Sequence, residues 1–83
     1  MSKDVRVLVG ENVRRYRTAA GMSQAELAER MGVDRAYISG LESGARNPTV
    51  LTLWHTAVAL GVDVSCLLVN EARKMAGKGP SRA

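Results

Sequence analysis

Apolar residues recur along this chain at steps of three and four, the period of an amphipathic helix. The pattern predicts five helices, at Val5–Ala20, Ser23–Met31, Asp34–Ser43, Thr49–Leu60 and Val64–Ala76. A glycine, which commonly ends a helix, follows each of the first four segments. The strict alternation typical of a strand is nearly absent. The predicted fold class is therefore all-α.

Each predicted helix has an apolar stripe that is expected to face inward, and polar residues are expected to cap several of the helices. Ser23 and Glu26 are spaced as a capping box, while Asp34 and Asp63 are expected to cap the third and fifth helices. The residues expected to face inward are Val5, Val9, Val13, Tyr16, Ala20, Leu27, Ala28, Met31, Ile38, Leu41, Val50, Leu53, Ala57, Leu60, Val64, Leu67, Leu68 and Met75. We expect one domain over residues 1–76 and a disordered tail over residues 77–83.

The second and third helices are separated only by Gly32–Asp34. Two short helices with such a turn form a helix-turn-helix unit, whose second helix can lie in the major groove of DNA. The chain carries 12 Lys and Arg against 8 Asp and Glu, a net charge of +4. This balance favours an anionic partner such as nucleic acid, although many basic domains bind nothing charged.

Composition excludes several other classes. With 83 residues, 46% of them hydrophobic, the chain has room for one compact domain. Cys66 cannot form an internal disulfide and residues 1–10 lack the apolar run of a signal peptide, so we expect a cytoplasmic protein. No apolar stretch approaches the ~20 residues of a membrane-spanning helix. The single histidine, His55, is far from Cys66 in sequence, so no metal, cofactor, small-molecule ligand or enzymatic activity is expected.

Several linked motifs point to a family. They are Ser-Gln-Ala-Glu-Leu-Ala at 23–28, Gly-Val at 32–33, Tyr-Ile-Ser at 37–39, Leu-Glu-Ser-Gly at 41–44, Asn-Pro-Thr at 47–49 and Ala-Leu-Gly-Val at 59–62. In this order they resemble the phage-repressor and Cro-like (XRE) family of bacterial regulators. The resemblance implies a five-helix, lambda-repressor-like domain and a dimeric, autoregulatory transcriptional regulator. Residues 34–42 and 46–49 also resemble the controller proteins of restriction–modification operons, although similar strings occur in regulators without a restriction partner.

The third helix carries the residues expected to read bases. A helix that enters the groove contacts base edges with its N-terminal residues, so the outward-facing readers are Arg35, Ala36, Ser39 and Gly40. Arg35 can form a bidentate pair with guanine, whereas Ala36 could meet only a thymine methyl group. A glycine within a helix is costly, so either DNA or the second helix is expected to approach Gly40 closely.

Other residues are expected to contact phosphates. Gln24 begins the second helix, where free N–H groups favour an anion, and its amide can donate a further bond. The resemblance places Tyr37, Ser43, Arg46 and Asn47 beside the groove, where they would add affinity without sequence information. The alternatives are a solvated role for Gln24 and Arg46 and partial core packing for Tyr37.

The resemblance also implies a partly buried ion pair between Arg17 and Glu42. It would link the first helix to the recognition helix. Such a pair fixes the position of the recognition helix and need not add net stability.

An apolar stripe remains on the fourth helix after its core residues are assigned. Leu51, Trp54 and Val58 recur at steps of three and four, and Cys66 and Val69 extend the apolar surface. A leftover apolar stripe usually marks an interface. We expect a symmetric homodimer on an inverted repeat in double-stranded DNA. The alternative is that Leu51 and Trp54 cover the core of one subunit.

An interaction module is the alternative function from another class. The segment Asn70–Ala83 could fold on a partner protein, as in an antitoxin. Selective binding to its own promoter would favour the regulator, whereas co-purification with a neighbouring gene's product would favour the antitoxin.

Overall fold

The computed structural model describes residues 4–70, which form four α-helices and one 3-10 helix. The helices are α1 (Val5–Ala19), α2 (Gln24–Met31), α3 (Arg35–Glu42) and α4 (Val50–Leu60), followed by the 3-10 helix η1 (Val64–Leu68). No strand occurs within this part of the chain. The predicted all-α class is confirmed, and the tail predicted at residues 77–83 lies outside the described residues.

The core lies where the inward faces of the five elements meet. Helix α1 packs on α3 and η1, α2 packs on α3 and α4, and α4 packs on η1. The buried hydrophobic residues are Val9, Val13, Met22, Leu27, Ala28, Ile38, Leu41, Ala57, Leu60 and Leu67. All of these except Met22 were predicted to face inward.

Four residues predicted to face inward are exposed. Val5 and Val50 are 55% and 83% exposed because each is the first residue of its helix, where no neighbouring element covers it. Ala20 caps α1 and lies beyond its last regular turn. Leu68 is 46% exposed because a 3-10 helix has about three residues per turn, which turns Leu68 away from the buried Leu67.

The predicted α-helix from Val64 to Ala76 is wrong over its described part. Val69 has an extended backbone, with φ −91° and ψ 130°, so the 3-10 helix ends before it. The buried Asn12 of α1 donates from Nδ2 to the carbonyl oxygens of Leu67, at 2.9 Å, and Val69, at 3.0 Å. These bonds satisfy carbonyl groups that a continuing helix would pair internally. Residues 71–76 lie outside the described residues.

Polar residues define the ends of α2. Ser23 Oγ accepts from the Glu26 backbone N–H at 3.0 Å, and the Glu26 carboxylate accepts from the Ser23 N–H at 2.7 Å, which confirms the capping box. Gly32 ends the helix with a left-handed φ of 72°. Asp34 precedes α3 in an extended conformation, but its side chain makes no capping bond. The position of α3 must therefore be fixed by packing.

Helix α1 lies very close to α3 at Gly10, a residue to which the sequence pattern assigned no role. A Cβ atom at Gly10 would lie 2.5 Å from the carbonyl oxygen of Leu41 and 2.6 Å from that of Glu42. Both are backbone atoms, so they cannot move away without moving α3. This crossing therefore requires glycine and sets the distance between α1 and the C-terminal end of α3.

Gly10→Ala is expected to displace α3 and to lower the free energy of unfolding by about 2 kcal/mol, within the range for an overpacked core. Urea unfolding measures the loss. Gly40→Ala is the matched control, because its new Cβ would meet only the flexible Arg46 side chain, with Cγ at 3.0 Å. If Gly10→Ala were at least as stable as Gly40→Ala, the close crossing would not constrain the fold.

Candidate nucleic-acid interface

Helices α2 and α3 form the predicted helix-turn-helix unit, with residues 32–34 between them. Ile38 and Leu41 anchor one side of α3 in the core. The exposed residues of α3 are Arg35, Ala36 and Ser39, and Gly40 is half-buried. Helix α3 therefore presents a solvent-facing side that begins at its N-terminus with an arginine.

A buried ion pair joins α1 to the C-terminal end of α3. Arg17 Nε donates to Glu42 Oε2 at 2.6 Å, and Arg17 Nη2 donates to Glu42 Oε1 at 3.0 Å. The two side chains are only 11% and 5% exposed. Arg17 Nη1 also donates to the Met22 carbonyl oxygen at 2.8 Å. Hydrogen bonding to Glu42 raises the pKa of Arg17, against the opposing effect of burial. Bidentate bonding holds the two side chains in one geometry.

Gln24 lies between this ion pair and Arg35. Its Nε2 donates to Glu42 Oε1 at 3.1 Å, and its Oε1 accepts from Arg35 Nη1 at 2.9 Å. Gln24 is half-buried, and both ends of its amide bond to protein side chains. Gln24 was predicted to contact a phosphate. The sequence pattern does not reveal this bridge, because the three residues belong to separate turns of two helices.

The Arg46 side chain packs against α3 and does not simply extend into solvent. Its Cζ is 5.0 Å from the centroid of the Tyr37 ring, a cation–π distance. Its side chain also fills the space in front of Gly40. Close packing on the second helix is therefore not the reason for glycine at position 40. The Tyr37 ring packs partly against the core, as the alternative interpretation held.

A polar groove runs beside α3. Its lining residues are Arg14, Arg17, Gln24, Ser39, Glu42 and Ser43. Ser43 Oγ donates to the Gly40 carbonyl oxygen at 3.0 Å, and Asn47 is exposed in the following loop. Arg14 was not among the predicted DNA contacts. Helical periodicity placed it off the apolar face of α1, but only the packing of α1 on α3 directs it to this groove.

The apolar stripe of α4 is exposed in the protomer. Leu51, Trp54 and Val58 are 63%, 56% and 62% exposed. Leu51 and Trp54 therefore do not cover the core of their own subunit, which contradicts the alternative left open by the sequence. Cys66 and Val69 are half-buried, in η1 and directly after it. Helix α4 packs on η1, so the stripe and these two residues belong to neighbouring elements.

Residues 4–70 also bear on two other possibilities for a small helical domain, a metal site and a membrane span. No group of three His, Cys, Asp or Glu side chains that could hold a metal ion occurs in this range. No helix in the described part of the chain is long and apolar enough to cross a membrane.

Helices α2 and α3 form a unit whose second helix begins with an exposed arginine and lies beside a polar groove. These features define a DNA-binding protein of the helix-turn-helix class. A family model, HTH_3, described as helix-turn-helix, matches residues 13–65, which is more than half of the chain. The chain belongs to this family and is a DNA-binding transcription regulator.

Individual relatives agree with the family. The uncharacterised HTH-type transcriptional regulator y4dJ of Sinorhizobium fredii is 51% identical over 59 residues, covering 71% of this chain and 77% of that protein. Control protein C.SmaI of Serratia marcescens is 41% identical over 71 residues, covering 86% and 84%. The resemblance to phage-repressor-like regulators and controller proteins is confirmed.

Solved structures share the fold. The hypothetical transcription factor NHTF from Neisseria superimposes with a TM-score of 0.83 at 34% identity, covering 88% of this chain and 84% of that one. The restriction–modification controller protein C.Esp1396I, solved as a tetramer with its natural 35 base-pair operator, gives a TM-score of 0.71 at 30% identity, covering 80% and 87%.

Proposed function

We propose that the protein is a controller-type regulator that binds an inverted-repeat operator as a homodimer and controls its own promoter. The observation that carries the proposal is the exposed side of α3, led by Arg35 and tied to the core through Gln24 and the buried ion pair. The operator complex of C.Esp1396I supports a DNA partner of this kind. We assign the protein to the cytoplasm, without enzymatic activity, cofactor or small-molecule ligand.

Arg35 is the proposed base reader. It is the first residue of α3, the end of a recognition helix that contacts base edges. A guanidinium carries five N–H donors, and only Nη1 of Arg35 bonds to Gln24. The remaining donors can bond to guanine O6 and N7. Ser39 lies one turn further along, and Ala36 would allow contact with a thymine methyl group. Gly40 would allow a close approach of the DNA backbone once the Arg46 side chain moves out of the space in front of it.

Residues around α3 are proposed to hold phosphates. Stacking on Tyr37 restricts the Arg46 guanidinium beside the reading surface, which suits it to neutralise one phosphate. Ser43 and Asn47 lie nearby at the end of α3 and in the following loop. Gln24 retains its backbone N–H and the second hydrogen of its amide for a phosphate at the N-terminus of α2.

The exposed stripe is the proposed dimer surface. We assign to it the exposed Leu51, Trp54 and Val58 of α4, together with the half-buried Cys66 and Val69. An exposed apolar surface of this kind is best covered by another subunit. Two-fold symmetry would then place the two α3 helices about one turn of DNA apart, ~34 Å, on inverted half-sites.

Arg35→Ala is expected to reduce the preference for guanine at one base pair of each half-site by about tenfold or more, the discrimination of a bidentate contact. The melting temperature should stay near that of wild type because Arg35 is exposed. Dissociation constants for the DNA upstream of the gene and for duplexes with single base-pair changes measure this preference.

Arg46→Ala is the matched arginine control. It should weaken binding to the operator and to a scrambled duplex alike, and it should reduce the salt slope by about 1. Wild-type base preference in Arg35→Ala would contradict the role of Arg35. A loss in Arg46→Ala that depends on sequence would instead assign base reading to Arg46.

A further inference from the structure

The buried ion pair and the proposed base reader belong to one chain of hydrogen bonds across three helices. Glu42 Oε1 accepts from Arg17 Nη2 at 3.0 Å and from Gln24 Nε2 at 3.1 Å. Gln24 Oε1 in turn accepts from Arg35 Nη1 at 2.9 Å. One glutamine side chain thus connects the buried Glu42 carboxylate to Arg35 at the exposed N-terminus of α3.

The hydrogen-bonding partners of Gln24 allow its side-chain amide only one orientation. A carboxylate paired with a guanidinium has only acceptors to offer, so Glu42 requires the Nε2 end of Gln24. A guanidinium has only donors, so Arg35 requires the Oε1 end. A reversed amide would set oxygen against carboxylate and N–H against guanidinium. Glu42 therefore determines that an acceptor faces Arg35.

We propose that Glu42 is a positioning residue for base recognition, which orients the Arg35 guanidinium through Gln24 in addition to holding α3 on α1. An arginine held in one orientation loses less side-chain entropy when it binds a base edge. The proposal rests on the function proposed above, because it needs Arg35 to read a base. It gives the ion pair and Gln24 a role in specificity beyond architecture and phosphate contact.

Two variants break this chain at different points. Gln24→Ala removes the bridge. Glu42→Gln keeps the side-chain shape but supplies an NH₂ group, so that Gln24 can adopt either orientation. Each should reduce the guanine preference at the base pair read by Arg35 by about tenfold, while preferences at the other positions of the half-site stay unchanged. In an Arg35→Ala background neither variant should change base preference further, because the coupling passes through Arg35.

Val13→Ala is the stability control. Val13 is fully buried on α1 and has no side-chain hydrogen bond to this chain of residues. The substitution should lower the melting temperature without changing the base preference. A preference lost in Glu42→Gln but kept in Val13→Ala therefore cannot come from reduced stability alone.

In the experiment, the wild-type protein first selects duplexes from a pool that is randomised over about two turns of DNA. Dissociation constants are then measured for the selected duplex and its single-base variants at several salt concentrations. A loss of base preference that is confined to the Arg35 base pair and absent in the Arg35→Ala background is the expected result, in addition to any uniform loss of affinity from the Gln24 phosphate contact. If Glu42→Gln fails to fold, Gln24→Ala still tests the link through which Glu42 must act. This variant should fold because Gln24 is half-buried and outside the hydrophobic core.

The contrary outcomes are distinct. If the wild type selects no sequence, the proposed function fails and this proposal fails with it. If the wild type selects a sequence and Arg35→Ala loses it while Gln24→Ala retains the full preference, only the positioning role is overturned. A uniform loss on all duplexes in Gln24→Ala, with the base preference unchanged, also overturns that role, since it identifies a simple phosphate contact.

Discussion

Glu42→Ala is expected to lower the free energy of unfolding by about 3 kcal/mol, the lower end of the range for removing one partner of a buried ion pair. The substitution leaves the Arg17 charge without its carboxylate at a site where the side chain is 11% exposed. For 83 residues the total stability is roughly 4–12 kcal/mol, so this loss is a large fraction of it. The melting temperature followed by circular dichroism should fall by roughly 15 °C.

An exposed ion pair at the N-terminus of α1 provides the control. Arg6 Nη2 lies 2.9 Å from Asp4 Oδ2, but these side chains are 48% and 46% exposed. Hydrogen bonds from Arg6 lower the pKa of Asp4 to about 2, yet solvent screens the pair, so Arg6→Ala should leave the melting temperature nearly unchanged. Equal melting of Glu42→Ala and wild type would contradict a stabilising role for the Arg17–Glu42 geometry.

Val58→Glu is expected to abolish dimerisation and to lower operator affinity roughly a hundredfold, because each subunit would bind its half-site alone. Near a two-fold axis the substitution brings two like charges together and buries them without partners. The protomer should still fold, because Val58 is 62% exposed in it and the buried Ala57 and Leu60 are unchanged. Sedimentation at micromolar concentration and operator titration measure the two effects.

The charge itself requires a control on another surface. Val5 is 55% exposed and lies on α1, so Val5→Glu adds the same charge at similar exposure on a different helix from the stripe. This variant should remain a dimer. A dimeric Val58→Glu protein, or a monomeric wild type under the same conditions, would disprove the proposed interface.

Features that depend on neighbours within one or two turns of helix were determined by the sequence alone. The capping box of Ser23 and Glu26 and the left-handed Gly32 set the limits of α2, and both are local backbone effects. The inward stripes of α1 to α4 were also predictable, because burial repeats with the helical period. That period stopped being informative at helix ends, where Val5 and Val50 are exposed although they continue the stripe.

Tertiary structure alone decided which residues from different elements meet. The spacing of Val64, Leu67 and Leu68 is compatible with an α-helix and with a 3-10 helix. The choice depends on α1, because the Asn12 amide donates hydrogen bonds to the carbonyl oxygens of Leu67 and Val69. The requirement for glycine at position 10 likewise exists only because the α3 backbone lies 2.5 Å from the site of its Cβ.

The bridge between Glu42 and Arg35 through Gln24 has the same origin. The sequence pattern determined that each of these three side chains belongs to a helix of the helix-turn-helix unit. It could not show that they bond to one another, because contacts between residues distant in the chain leave no periodic signal in a single sequence. The distance and angle at which α2 packs on α3 decide them.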